Sequence, residues 1–436
     1  MQHSNDETPS EEGTRSPEAQ PRGAGPCPEG APPCNTAPAN CNNTETVQVL
    51  GQGIDSLYLS YPGQVYHESE LKLQVLKETA QSRNPQDNAL AVFALGMHRF
   101  EVLGKGAGYY PYVLVDNAFR IKVSSAQAVK FPLAYIQISS GWLLANGVSP
   151  VVQELDALMS ALGQLDDVAQ VSRADMYVDF VSEMPLDVIP TTHWVTRAKS
   201  IHQYSMYREF TGYSIGLGGD ICARLYDKTA EIRESKKAYM QTVWKEKGWN
   251  GMDRVYRLEF QLERKTLVEH QTRTVPELLL NLGQLWRYGT LNWLKLTIPS
   301  ETDSTQSRWP IHPVWEALAN LPWPDTLDGI SLPVRSSRVP DATALYVRGL
   351  SGITSMMAVE CITDPLVAFD TFYDNAKNHH NERAWFTGTD LPGYLQEKAA
   401  LKAKYYNLPY PEVDERRDEK IRDAYAREYR KLKDGE

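Results

Sequence analysis

Residues Gly218-Gly-Asp-Ile-Cys-Ala-Arg-Leu-Tyr-Asp-Lys-Thr-Ala-Glu231 read as a glycine turn, a short strand and the first turn of a charged helix. Ile221, Ala223 and Leu225 alternate with Cys222, Arg224 and Tyr226, the period-2 pattern of a strand with one buried face. Tyr226 therefore shares a face with Arg224 and ends the strand, where a side chain is reachable. A tyrosine on a half-buried strand ordinarily just packs. What Tyr226 does depends on the strands beside it.

Two other segments have the same construction. In Val171-Ser-Arg-Ala-Asp-Met-Tyr-Val-Asp-Phe180, Ala174, Met176, Val178 and Phe180 point one way, and Arg173, Asp175, Tyr177 and Asp179 the other. In Val255-Tyr-Arg-Leu-Glu-Phe-Gln-Leu-Glu-Arg264, Tyr256, Leu258, Phe260 and Leu262 alternate with Arg257, Glu259, Gln261 and Glu263. Three strands thus each carry an apolar face and a face of arginine with carboxylate or tyrosine. Carboxylates suit a hard divalent cation and guanidinium groups suit phosphate. Convergence of such groups around Tyr226 points to attack of a phenol on a DNA phosphodiester. Cross-strand ion pairs on an ordinary sheet are the competing reading.

In chain order, the Arg-Ala-Asp strand, Gly212-Tyr-Ser-Ile-Gly216, Ala-Arg-Leu-Tyr-Asp-Lys228 and Tyr-Arg-Leu-Glu-Phe260 together resemble the trans-acting rolling-circle replication initiation factor family (Rep_trans). That family includes plasmid initiators and the MOB-T relaxases of conjugative elements, and the resemblance covers roughly residues 50 to 300. It implies an α+β fold, with a central, largely antiparallel sheet flanked by helices in a rearranged relative of the HUH nucleases. The chain has no His-hydrophobe-His motif, which suits this family rather than the ordinary HUH relaxases. The resemblance further implies that Tyr226 becomes joined to a 5′-phosphate and leaves a free 3′-OH. Asp175 and Glu259, with Asp179 beside them, would hold Mg2+ or Mn2+. The implied partners are origin DNA, a host helicase and polymerase, and a second copy of the chain, in a bacterial cytoplasm.

The chemistry is coherent in itself. A phenol with a pKa of about 10 is a poor nucleophile at neutral pH. A cation on the scissile phosphate neutralises charge and orients phosphorus for in-line attack. Arg224 and Lys228 are placed to stabilise phenolate or phosphate. Arg173, Arg257, Arg197, Lys199, Lys236 and Lys237 are the candidate DNA contacts. All but Arg173 fall in a stretch, 191 to 275, with fifteen Lys and Arg against ten Asp and Glu, although the whole chain carries −10. That overall charge argues against unspecific DNA coating without excluding a basic groove. A non-catalytic, sequence-specific DNA-binding regulator on the same scaffold is the alternative function.

Residues 1 to 46 are rich in Pro, Glu, Ser, Asn and Gly and read as a disordered tail. No apolar stretch is long enough to be a membrane span. Five cysteines without a secretory segment point to a reducing compartment. Residues 47 to 300 read as the catalytic domain. It holds a first strand near Gly53, an amphipathic helix over Glu68 to Ser82, short aromatic-rich strands from Ala89 to Ile138, and a helix through Leu162. Gly104-Lys-Gly-Ala-Gly108 lacks phosphate-loop spacing and reads as a hairpin. Single helices are expected over Glu231 to Trp249 and Val275 to Leu296. Residues 301 to 335 read as a linker, and 336 to 436 as a mainly helical region ending in a charged helix over Glu415 to Lys433.

Overall fold

Leu57, Leu59 and Tyr61 are fully buried while Ser56, Tyr58 and Ser60 between them stay partly open. Repeated along the chain, that alternation lays down a sheet with one apolar and one polar face. The computed structural model describes residues 47–235, 237, 239–324, 327, 328 and 338–408. The tail expected through residue 46, Lys236 and the charged helix expected at Glu415 to Lys433 lie outside the described residues.

Among the described residues one sheet holds eleven strands: β1 (Val47–Tyr61), β2 (Val92–Leu95), β3 (His98–Val102), β4 (Tyr112–Val115), β5 (Phe119–Val123), β6 (Ala134–Ile138), β7 (Gln170–Ser182), β8 (Ile201–Met206), β9 (Glu209–Ile215), β10 (Ile221–Asp227) and β11 (Val255–Glu263). Their order is β8-β9-β10-β11-β7-β1-β6-β5-β4-β3-β2, and each neighbouring pair is antiparallel. The class is α+β. With 15 residues, β1 is long enough to pair with β7 along most of its length and with β6 along its second half. It thereby joins the early meander to the strands that carry Tyr226. The β1–β7 register slips between Ile54 and Ser56, a bulge that re-aims the side chain of Asp55.

Helices cover both faces: α1 (His67–Gln81), α2 (Ser140–Asn146), α3 (Val148–Leu162), α4 (Lys228–Ser235), α5 (Tyr239–Glu246), α6 (Val275–Arg287) and α7 (Pro313–Ala319). On the apolar face, α3 buries Val151, Leu155, Leu158, Met159 and Leu162, and α6 buries Leu278, Leu282, Leu285 and Trp286, in one continuous core. The start of α6 is written in Thr274-Val-Pro-Glu277, where Thr274 and Glu277 form a reciprocal capping box. The polar face carries a separate apolar cluster, in which Ile232, Met240 and Trp244 of α4 and α5 pack on Leu50 and Val255. This second cluster holds two short helices against the sheet as the wall of a cleft.

Three expectations change. The helix expected over Glu231 to Trp249 is two helices, α4 and α5. The one expected to run to Leu296 stops as α6 at Arg287, passes through a π turn, and becomes a short strand, Leu294–Leu296, paired with Trp194–Thr196. The stretch expected as a linker carries α7, whose Trp315 is buried edge-on against Trp194 at 5.3 Å and donates its indole N–H to the Thr290 carbonyl at 2.7 Å. Apolar residues at helical spacing decide this, because burying Val314, Trp315 and Leu318 outweighs the polar composition just before them.

The C-terminal region is helical: α8 (Ala342–Glu360), α9 (Pro365–Thr387) and α10 (Leu391–Tyr405). Asp364 and Asp390 cap the last two, each followed by proline in the first turn. Lys404 ties α10 to the rest of the chain by donating to the carbonyl and side-chain oxygens of Asn88. Among the described residues no single helix is long and apolar enough to cross a membrane; 342–360 and 365–384 meet both conditions only as a pair, across a 97° bend.

Candidate active site

Cross-strand register builds the site in rows. Tyr226 of β10 lies opposite Arg257 of β11, which lies opposite Asp179 of β7. Two residues along, Arg224, Glu259 and Tyr177 form the next row, and Cys222, Gln261 and Asp175 the third. The period of two keeps all three rows on the polar face. On the outer side Tyr226 pairs with Gly212 of β9, where a Cβ would come 2.6 Å from the Tyr226 Cβ. Only glycine lets β9 approach the tyrosine this closely. Past Tyr226 the strand ends at once, because the Asp227 carboxylate accepts from the Thr229 hydroxyl and the Ala230 N–H and starts α4.

The Tyr226 hydroxyl donates to Glu259 Oε2 at 3.3 Å and accepts from Lys228 Nζ at 3.4 Å. Burial holds this phenol well above the usual tyrosine range, although the nearby Arg257 cation opposes that. Burial also lowers the Lys228 ammonium, with the Arg257 charge adding to it; Glu231 holds the lysine at 2.5 Å. Glu259 is pushed up to about 7, first by burial and then by the negative charges of Asp55 and Asp175. Its other oxygen accepts from Arg224 at 3.0 Å. A phenol between a lysine and a carboxylate that titrates near neutrality is equipped for proton transfer.

These groups line a cleft of about 440 Å3 together with Asp55, Arg173, Asp175, Thr211 and Lys237. The structure therefore gathers Tyr226, Arg224, Lys228, Asp175, Glu259, Arg173 and Lys237 at one place. Asp175 is held by Arg173 through two hydrogen bonds of 2.7 and 2.6 Å. Burial nonetheless raises its carboxyl. Lys237 reaches from between α4 and α5, donating to the Ser140 hydroxyl at 3.3 Å.

Other expected residues lie elsewhere. Asp179 is completely buried; it takes both a bidentate bond from Arg257, at 2.6 and 2.8 Å, and the Trp244 indole N–H at 3.0 Å. Its oxygens are engaged beneath the cleft, so the expectation that it ligates a metal is corrected. Arg257 is corrected with it. The side chain is 1 % exposed, bonds Asp179 and Asp55, and stacks 3.9 Å from the Tyr177 ring centre, leaving nothing to meet a DNA phosphate. Arg197 and Lys199 are exposed but line a different cleft, beside the turn Gly216–Ile221 at the far end of β10. Five residues at about 3.3 Å each separate that end from Tyr226. Among other tyrosines, Tyr177 is buried under Arg257 and Tyr256 is buried on the apolar face.

One site residue escaped the sequence reading. Asp55 enters the cleft from the β1 bulge and pairs with Arg257. Burial pushes its carboxyl up, but the cations Arg257, Lys228 and Lys237 outweigh that and hold it below the usual range. The signal was the three-residue step between the inward Ile54 and Leu57, where strict alternation would give two.

The donor chemistry fits a hard cation in part. Asp55, Asp175 and Glu259 offer carboxylate oxygens to one cleft, and the raised Glu259 marks negative charge that its neighbours do not fully neutralise. Among the described residues no group of three or more His, Cys, Asp and Glu is gathered closely enough to hold a metal ion as the side chains stand.

No protein-family model matches the chain, and no curated protein matches it. A solved rolling circle replication initiator protein from Geobacillus stearothermophilus aligns with 63% of this chain and 95% of its own, at 13% identity and a TM-score of 0.37. At that level of similarity the chemistry rests on the cleft alone.

Proposed function

We propose that the protein is a DNA strand nickase and transferase that acts through a phosphotyrosine at Tyr226 and starts rolling-circle replication or conjugative transfer. The observation that carries this is the Tyr226 hydroxyl, hydrogen-bonded to both Glu259 and Lys228 in a cleft that also presents Arg173 and Arg224. Glu259 takes the phenol proton, and Lys228 stabilises the phenolate that forms. Arg224 and Arg173, at the open side, bind the phosphate to be attacked. The Tyr226 oxygen forms a bond to phosphorus as the bond to O3′ breaks, and the proton taken up by Glu259 passes to O3′, which leaves as a hydroxyl. The aryl phosphate ester retains the bond energy for a later rejoining step. Asp175 and Glu259, with Asp55, are the residues that would hold Mg2+ or Mn2+, which when bound supplies charge neutralisation at the phosphate.

The test is nicking of a supercoiled plasmid carrying the native origin. Tyr226→Phe should abolish both relaxation and the covalent protein–DNA adduct while origin binding persists. Wild-type nicking that survives this substitution would refute the assignment.

A second reading has its own support. Arg173–Asp175 and Arg257–Asp179 are complete bidentate pairs, as a purely structural ionic network would have. In that case the protein is a non-catalytic DNA-binding regulator, and wild-type protein binds the origin without cutting it.

A further inference from the structure

Beyond Arg173 the polar face of the sheet continues across β1, β6 and β5, outside the cleft. Its outward positions there set rings and cations among small polar residues: Ser56, Tyr58 and Ser60 on β1, Tyr135 and Gln137 on β6, Arg120 and Lys122 on β5. Tyr58 of β1 lies 6.1 Å from Tyr135 of β6, centre to centre; Tyr135 lies 6.4 Å from Tyr110, and Tyr110 6.3 Å from Phe131. Tyr109, 78% exposed, stacks on Phe131 at 4.8 Å and ends the row. Cations accompany the rings: Arg173 sits 4.8 Å over Tyr58, and Lys122 of β5 sits 5.1 Å over Tyr135. Arg173 also lines the Tyr226 cleft, so the row of rings starts where the cleft stops.

The glycine-rich loop at 104 to 108 finds its purpose in this row. Ala107 and Tyr110 exchange backbone hydrogen bonds of 3.0 and 3.1 Å, Gly108 has φ +59°, and a Cβ on Gly106 would meet the Tyr110 carbonyl oxygen at 2.5 Å. This tight turn needs its glycines, and it delivers Tyr109 and Tyr110 to the end of the row.

We propose that this row of rings and cations is a stacking platform for single-stranded DNA leading into the cleft. Every base has a π face, so evenly spaced aromatic rings bind a single strand without reading its sequence, while interleaved cations meet the phosphates. A paired duplex keeps its bases stacked inside and cannot use such a row. The platform takes DNA as its ligand from the reading above, yet it makes no use of the chemistry at Tyr226.

The experiment is fluorescence anisotropy of labelled oligo-dT with the full chain. Phe131→Ala and Tyr135→Ala should each weaken binding by roughly five- to a hundredfold, the range found for losing one base–aromatic stack. Tyr135→Phe should bind as wild type, because the ring and not the hydroxyl is used. Tyr109→Ala, at an exposed position that folding does not need, should weaken binding too. Lys122→Gln should lower the salt slope by roughly 0.7, as one phosphate contact on a single strand predicts. Unchanged affinity for oligo-dT in Tyr109→Ala and Phe131→Ala would overturn the platform. Wild-type protein that binds through these rings but forms no tyrosyl adduct would sink the nicking reading and leave the platform standing.

Discussion

At the scale of the residue, the informative contrast is between two arginines that look alike in sequence. Arg224 and Arg257 both sit on polar strand faces next to a glutamate or tyrosine row. Arg224 keeps its side chain 36% exposed and bonds Glu259 and Gln261. Arg257 is buried among Asp179, Asp55 and Tyr177. Nothing in the period-2 pattern separates them, because burial on the polar face is decided by α4 and α5 packing over one end of it. Arg257→Ala strands Asp179 as an uncompensated buried charge, so urea denaturation should show a loss of about 3–5 kcal/mol. Arg224→Ala should cost well under that, about 1 kcal/mol or less as for a partly exposed pair. It should instead slow nicking. Equal stability losses for the two would contradict the division between a structural and a functional arginine.

At the scale of the element, the apolar faces of β7, β10 and β11 were legible from alternation alone, and so was the sharing of one face by Tyr226, Arg224, Asp175 and Glu259. Register was not legible. Which carboxylate faces which arginine follows from strand pairing, and alternation within one strand says nothing of its neighbour. Bulges hid more, since the slip at Ile54/Ser56 brings in Asp55. The approach of β9 is equally specific, and Gly212 is its weak point. Gly212→Ala should displace Tyr226 and reduce nicking by roughly a hundredfold or more, the size of effect a shift of about 1 Å has on reacting groups. Circular dichroism should show a folded protein, and wild-type rates would mean that β9 is not constrained here.

Another element-level tie responds to pH. His98 of β3 donates to Asp116 Oδ2, 2.5 Å away, and, when protonated, also to Glu154 of α3, 3.0 Å away, joining the meander to a helix of the apolar face. Burial lowers its pKa, but hydrogen bonds and charge from Asp116 and Glu154 win and raise it above the ordinary histidine value. A raised value means that the folded state binds the proton more tightly. The stabilisation is therefore complete below the unfolded value of about 6.5 and disappears as pH climbs through the folded one. The urea midpoint should fall between mildly acid and alkaline pH, and His98→Gln should flatten that fall. A wild-type profile in the variant would show that the tie carries no proton.

At the scale of the whole molecule, the α+β class followed from the family resemblance and the helical C-terminal region from patterning, while the extent of the core followed from neither. Trp315 joins it from a stretch whose polar opening, Glu301 to Pro310, suggested a break. One sheet also brings together what sequence distance keeps apart: Tyr58, Tyr135 and Arg173 form a surface continuous with a cleft built around residue 226. A net charge of −10 coexists with that local basic and aromatic surface because charge is distributed by face.

The most direct measurement is to incubate the protein with an origin-containing oligonucleotide and a divalent cation, digest with trypsin, and locate the bound nucleotide by mass spectrometry. The account predicts a nucleotide mass on the peptide 225–228, which contains Tyr226. A modified peptide bearing Tyr177, Tyr239 or Tyr256 instead, or nicked DNA with no tyrosyl adduct, would contradict it.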